Sequence, residues 1–230
     1  MFKYILLILF STTALASPDA LKLLELSDKY RSPYEYLKTD IAIDDYKNNE
    51  LRKTIKYQVY YRDGESLIDV KSGVNKGNRI LLSKKGMFVT VKRSARAVRI
   101  TPIQRILGQA SYGDLAGLKL SKDYNASYLK QEQNAIQLQL TAKNKQATYT
   151  KIILWINPSD YRPIKADAYL ASGKLFKQLL YKITNNQISE IIYTSPNSKN
   201  KKTIMRFLSF SSKKLPKRFF SSNSMRSKIR

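Results

Sequence analysis

Apolar and polar residues alternate with a period of two along most of the chain, and the period becomes helical in two places. Ile41 and Ile43 alternate with acids, and Ile55, Tyr57, Val59 and Tyr61 alternate mainly with polar residues. Asp63-Gly64 then supplies a tight-turn signal into a run over residues 65–72, so this region reads as an antiparallel meander. Short runs at 80–82, 87–91 and 97–100 extend it. Downstream, Ile136, Leu138 and Leu140 alternate with Gln137, Gln139 and Thr141. Runs at 150–157, 163–171, 174–184 and 188–194 follow, with a last one at 203–209. In the run at 150–157, Ile152, Leu154 and Ile156 point one way and Ile153 and Trp155 the other. That strand is expected between an interior and a covering helix.

The first helical stretch starts at Ser17-Pro18-Asp19, carries Ala20, Leu23, Leu24 and Tyr30 or Arg31 on roughly helical spacing, and stops before Pro33. The second follows the first meander. In Thr101-Pro102-Ile103-Gln104, Thr101 is placed to cap a first turn, Pro102 stands where its missing N–H costs nothing, and Gln104 can reach back to close a capping box. Ile103, Ile106, Leu107 and Ala110 recur at i, i+3, i+4 and i+7, which predicts a short helix with one apolar stripe. Ser111-Tyr112-Gly113-Asp114 is a further start signal, with Leu115 and Leu118 as apolar anchors and Asp114 suited to the positive end of a helix. The fold class is mainly β with helices: a curved antiparallel sheet with a helical insertion, in one domain over residues 17–230.

Residues 1–16 change the picture by setting a compartment. Lys3, an apolar run over residues 4–10 and Ala14-Leu15-Ala16 have the order of a secretory signal peptide cleaved after Ala16, which predicts a periplasmic or otherwise exported protein. The apolar run falls short of the ~20 residues a membrane-spanning helix needs. Lys plus Arg is 42 against 17 for Asp plus Glu, a formal net charge of +25. Such a field favours anionic partners, and export turns the expectation from nucleic acid to anionic membrane surface. After Glu190 there is no acid, while Lys199, Lys201, Lys202, Arg206, Lys213, Lys214, Lys217, Arg218, Arg226, Lys228 and Arg230 are all basic. Lys213, Lys214, Lys217 and Arg218 are the candidates for membrane docking.

The chain has no His and no Cys, which removes His-based triads, cysteine nucleophiles, disulfides, lipid attachment at a cysteine and the commonest transition-metal ligands. Asp40, Asp44 and Asp45, or Asp114 and Asp123, are the only carboxylate sets worth weighing as acid/base pairs, and the first three read as a strand's solvent face and the last two as a helix start and a turn. No glycine-rich phosphate loop or calcium loop is present. No enzymatic activity, cofactor or metal is expected.

Several paired residues occur in a recognisable order: Lys76-Gly77, Met87-Phe88, Arg99-Ile100, Gln104-Arg105, Gly113-Asp114-Leu115 and Asp123-Tyr124, then Arg162-Pro163, Ser172-Gly173-Lys174, Leu215-Pro216 and Phe219-Phe220. In this order the chain resembles the outer-membrane lipoprotein-sorting protein family, related to periplasmic lipoprotein carriers of the LolA type. Phe88 stands where the family usually has Trp, Thr90 where an aromatic is common, Lys92 where Pro is expected and Ala95 where a second Arg is expected. The resemblance implies an incomplete β-barrel under a helical lid, binding lipid or lipoprotein acyl chains and carrying them between membranes, with an inner-membrane transporter as a partner. It makes Ile103, Ile106 and Leu107 lid contacts to the chains, with Leu115, Leu118, Ile136, Leu138 and Leu140 as further lining and Phe88 and Trp155 as additional contacts. A monomer is expected. The competing expectation is an accessory subunit docked on a transporter of lipids or hydrophobic compounds.

Overall fold

The computed structural model describes residues 19–90 and 97–225. The expected signal peptide, Lys92, Ala95 and the basic residues Arg226, Lys228 and Arg230 lie outside the described residues. Helix α1 (Ala20–Arg31) starts where expected, with Asp19 Oδ1 accepting from the N–H groups of Leu21 and Lys22 at 3.0 and 3.2 Å. Ala20, Leu23, Leu24, Ser27, Asp28 and Arg31 form its buried stripe, so this stripe is only half apolar.

A first meander follows: β1 (Tyr36–Lys47), β2 (Glu50–Arg62), β3 (Glu65–Val70), β4 (Arg79–Ser83), β5 (Gly86–Thr90) and β6 (Ala97–Ile100). A small hairpin comes next, β7 (Arg105–Leu107) with β8 (Ala110–Ser111), and then the short helices α2 (Tyr112–Ala116) and α3 (Leu120–Asp123). The second meander is β9 (Tyr124–Glu132), β10 (Ala135–Ala142), β11 (Lys151–Ile156), β12 (Pro163–Tyr169), β13 (Leu175–Thr184), β14 (Gln187–Thr194) and β15 (Lys201–Ser212). The last strand returns to pair with β1, giving one antiparallel sheet of thirteen strands ordered β6-β5-β4-β3-β2-β1-β15-β14-β13-β12-β11-β10-β9. Asn48-Asn49, Asp63-Gly64 and Asn185-Asn186 turn with positive φ at both residues, the geometry whose twist matches paired strands.

The sheet is strongly curved. Gln146, before β11, donates through Nε2 to the carbonyl of Lys84, in the β4–β5 turn, at 2.9 Å. Strands β4 and β10 are nine places apart in the sheet order, which in a flat sheet would be about 43 Å. Bringing them into contact makes an incomplete barrel whose inner face holds one continuous core, including Ile41, Ile43, Val59, Leu138, Leu154 and Met205. The alternation of period two read from the sequence is what puts these residues on one face.

The outer face carries a second, smaller core. After β15 the chain folds back over β2–β5, and Phe220 and Met225 bury Tyr60, Leu67 and Leu81. Phe219, in a one-turn helix, meets the Tyr60 ring edge-on at 5.3 Å, and Arg62 Nη1 donates to the Leu215 carbonyl at 3.0 Å. The basic segment predicted from composition is thus, through Met225, a structured strap.

One predicted element is absent. The stretch expected as a lid helix, residues 101–110, is a turn followed by the β7–β8 hairpin. Its capping signal is real: Gln104 Oε1 accepts from the Thr101 N–H at 3.1 Å. But the carbonyls of Pro102 and Gln104, which a helix would offer four residues on, accept instead from the N–H groups of Gly113 and Tyr112 at 2.8 and 2.9 Å. Gly108 makes the reversal with φ +54°, against β1 and β15: a Cβ there would lie 2.1 Å from Asp45 Oδ1 and 2.2 Å from Thr203 Oγ1.

Candidate functional site: a closed half-barrel interior

Residues 101–123 cover the inner face. Strands β7 and β8 pair only with each other, so this segment is outside the thirteen-strand ladder. Leu115, Ala116 and Leu118 are fully buried in the main core, and Ile103, Ile106 and Leu107 pack half-buried against it. Beyond this apolar contact, polar bonds hold the segment at a few points. The Gln109 N–H donates to Thr203 Oγ1 at 2.8 Å, and Ser66 Oγ donates to the Ala116 carbonyl at 2.6 Å. The Asp28 carboxylate on α1 accepts from the N–H groups of Leu120 and Ser121 at 2.9 and 2.8 Å.

The strongest anchor is Asp114. Its carboxylate accepts from Lys177 Nζ at 2.8 Å, from the N–H and Oγ of Ser111 at 2.8 and 2.7 Å, and from the Tyr149 hydroxyl at 2.5 Å. Arg31 Nη2 donates to the Asp114 carbonyl. Burial pushes the Asp114 carboxyl up, but the charge and hydrogen bond of Lys177, with the bonds from Tyr149 and Ser111, outweigh it and hold the group below the ordinary carboxylate range. Gly113 fits beside it because a Cβ would lie 2.0 Å from Thr148 Oγ1 and 2.9 Å from Pro102 Cβ.

Asp28 on α1 and Asp123 at the end of α3 form an acidic pair. Burial and then the charge of Asp28 push the Asp123 carboxyl up to about 6, against Lys143 and Arg31, and burial raises Asp28 as well. A carboxyl raised in the folded state penalises folding while ionised; the penalty is complete above about pH 6 and lifts as pH falls toward the ordinary value of 3.8. With no His in the chain, few other groups titrate in this window. Lowering the pH from about 7.5 to about 5.5 should therefore raise the thermal midpoint. Asp123→Asn should raise it at the higher pH and flatten the slope, and a parent profile flat across this range would rule the coupling out.

Of the residues singled out in the sequence, Leu115, Leu118, Ile136, Leu138 and Leu140 are brought together in the main core with the half-buried Ile103, Ile106 and Leu107. Phe88 and Trp155 are not. Phe88 packs on the outer face with the second core, and Trp155 faces outward, half-buried beneath the Lys165 ammonium at 4.4 Å rather than beneath a helix. Asp40, Asp44 and Asp45 are hydrogen-bonded separately, to Gln58 and Ser209, to Thr54 and Arg206, and to Thr203. Lys177 and Arg31 were missed as site residues, although each has a readable position: Lys177 shares its strand parity with Leu179 and Tyr181, and Arg31 follows Leu24 and Ser27 on the α1 stripe.

The interior is closed as it stands. Beside Asp114 and Arg31 the free volume is about 20 Å³, room for roughly one water. At the margin of residues 101–123, a cleft of about 460 Å³ runs from Ile103 past Ala142 and Ala147 to Tyr149 and Leu170. Among the described residues no helix is long and apolar enough to cross a membrane, and no group of three or more acids is placed to hold a metal ion.

A family model described as "Uncharacterized protein" matches residues 62–227. The chain belongs to that family. Among solved structures it is similar to a LolA superfamily protein from Nitrosomonas europaea, at 24% identity over 90% of this chain and 100% of that one, with a TM-score of 0.82. A candidate outer membrane lipoprotein-sorting protein domain from Vibrio parahaemolyticus matches at 17% identity over 90% and 98% of the two chains, TM-score 0.70. A DUF1329 family protein from Desulfovibrio piger matches at 15% identity over 91% and 100%, TM-score 0.67. At these identities the likeness establishes the fold: a LolA-like open antiparallel sheet with few short helices. No curated protein matches the chain.

Proposed function

We propose that this protein is a non-enzymatic periplasmic carrier that takes lipid or lipoprotein acyl chains into the half-barrel and passes them between membranes. The observation that carries the reading is the way the interior is closed. An apolar inner face spanning both meanders is covered by residues 101–123, which share no ladder bond with the sheet and are held by apolar contact and a few polar anchors. A cover of this kind can exchange. A sixteen-carbon chain leaving water gains on the order of 12 kcal/mol, enough to compete with the burial of Leu115, Leu118 and their neighbours without exceeding it by far. Opening and loading are then two faces of one equilibrium, with the cover's self-contacts setting how readily cargo is released. In this reading Ile103, Ile106 and Leu107 pass from the sheet's lining to the cargo, and an inner-membrane transporter supplies it. Lys213, Lys214, Lys217 and Arg218, all exposed on the outer strap, face the anionic surface during transfer.

Mass spectrometry of organic extracts from natively purified protein tests the reading. About one equivalent of a lipid per chain, or its uptake from vesicles by stripped protein, is expected. Protein that is lipid-free as isolated and takes up none would overturn it.

A further inference from the structure

The interior contains two buried cations whose polar partners among the described residues lie within residues 101–123. Lys177, on β13, is 1% exposed. Its ammonium donates to Asp114 Oδ2 and to the Gln109 carbonyl, both within residues 101–123, and is otherwise faced by the rings of Tyr149, Phe176 and Tyr193, each 5.3 Å away. Arg31, on α1, is 6% exposed; its Nη2 donates to the Asp114 carbonyl, and its Nε is buried with no partner. If residues 101–123 leave, Lys177 loses its only ion-pair partner among the described residues, and the Nε–Nη2 edge of Arg31, the edge that grips an oxyanion with two parallel bonds, loses its bond to the Asp114 carbonyl.

We infer that Asp114 stands in, in the closed state, for an anionic group on the cargo, and that the interior selects amphiphiles with a phosphate or carboxylate head over neutral ones. The inference rests on the carrier reading above and deepens it by naming the cargo's chemistry. Its physical ground is the cost of leaving a charge dry. An open, apolar-lined interior filled by a neutral chain would keep Lys177 in an aromatic surround with no counter-charge, which is strongly unfavourable. An anionic head restores the pair that Asp114 made and adds bonds that the closed form lacks at Arg31 Nε. Asp28, which remains on α1, acts on Arg31 through its charge but makes no ion pair with Lys177 among the described residues, so it does not replace Asp114 there. The competition also couples binding to opening, because the anion and Asp114 cannot occupy Lys177 together.

Binding of oleate and of oleyl alcohol to the stripped protein is the direct comparison, since the chains match and only the charge differs. The parent should prefer oleate by about tenfold or more. Asp114→Asn, which weakens the closed form alone, should tighten the binding of both amphiphiles by a similar factor and leave the ratio in place. The neutral pair Asp114→Asn with Lys177→Gln, checked for folding by its thermal melt, should lower the ratio, with Arg31 supplying the preference that remains. Millimolar inorganic phosphate should not displace oleate; displacement by phosphate alone would make this a site for a free anion and overturn the lipid assignment. Equal affinities in the parent, or no tightening of oleate binding in Asp114→Asn, overturn the inference while leaving the carrier reading intact. Failure of every form to bind either amphiphile overturns the carrier reading and this inference with it.

Discussion

Replacing Lys177 with Met is expected to open residues 101–123 while the sheet stays folded. The substitution keeps the stem's packing but leaves the Asp114 carboxylate, one of the least exposed charges in the protein, with bonds from Ser111 and Tyr149 and no cation. Removing one member of a buried ion pair costs about 3–5 kcal/mol, because the remaining charge stays desolvated. That cost falls on the closed form alone. A segment outside the main ladder can relieve it by carrying Asp114 to water, so the loss in global stability should be smaller than the local penalty. Hydrogen exchange measured by mass spectrometry at neutral pH should show faster exchange at Gln109, Tyr112 and Gly117, whose N–H groups are bonded within or beneath the segment, with β1 and β15 still protected. The contribution of Asp114 to the pH dependence should also reverse. In the parent, Lys177 holds the Asp114 carboxyl below its ordinary value, so this group's stabilisation is complete above that value and lost as pH falls through the lowered one. Without Lys177, burial prevails and the carboxyl is raised, so acidification should close the variant again. Uniform loss of protection across the whole sheet would show that residues 101–123 are an inseparable part of the core.

The elements legible in the sequence are those fixed by local chemistry. Asp19 caps α1, Asp63-Gly64 and Asn185-Asn186 turn hairpins, and alternation places Ile136, Leu138 and Leu140 on the inner face. The failure at residues 101–110 has a definite cause. Thr101, Pro102 and Gln104 are helix-start residues, and Ile103, Ile106 and Leu107 are spaced as a helical stripe, but a turn with a two-strand hairpin also packs these three half-buried against the main core. Gly108 was the available sign: a residue able to take positive φ sits where the stripe would need a helix former. Phe88 pairs with Leu81 on the outer face, which its aromatic character does not report, and Trp155, read as opposite to Leu154 and beneath a helix, lies instead beneath Lys165. For Lys177 strand parity is the sign. Its parity with Leu179 and Tyr181 puts a cation among the apolar inner positions, a conflict between residue and place of the sort that marks a functional group. What no local pattern carries is long-range docking: that Asp114 meets Lys177 sixty-three residues on, or that Phe220 returns to cover Leu81.

The outer strap should separate into a structural part and an electrostatic part. Phe220 is buried with Tyr60, Leu67 and Leu81, and truncating it to Ala removes a buried ring from the cover that Met225, Phe219 and Leu215 complete. A buried Phe→Ala change costs about 3–5 kcal/mol, so Phe220→Ala should lower the thermal midpoint markedly. Changing Lys213, Lys214, Lys217 and Arg218 to Gln should do little to stability. All four are exposed, none is in a salt bridge among the described residues, and only two lie over rings: Lys213 at 5.8 Å from Tyr60 and Lys214 at 6.0 Å from Tyr36. Exposed contacts of that kind are worth about 0.5–1 kcal/mol each at most. The same four changes should weaken sedimentation with anionic vesicles, because each cation near such a surface contributes on the order of 1 kcal/mol. That attraction is screened over about 8 Å at physiological salt and so should fade as salt rises, whereas uptake of an acyl chain into the interior, on the opposite face of the sheet, should not. Equal vesicle binding by the parent and the fourfold variant at low salt would reduce these charges to a solubilising surface. Loss of acyl uptake together with vesicle binding, in a variant with an unchanged melt, would instead tie the strap to the interior and remove the division of labour between the two faces.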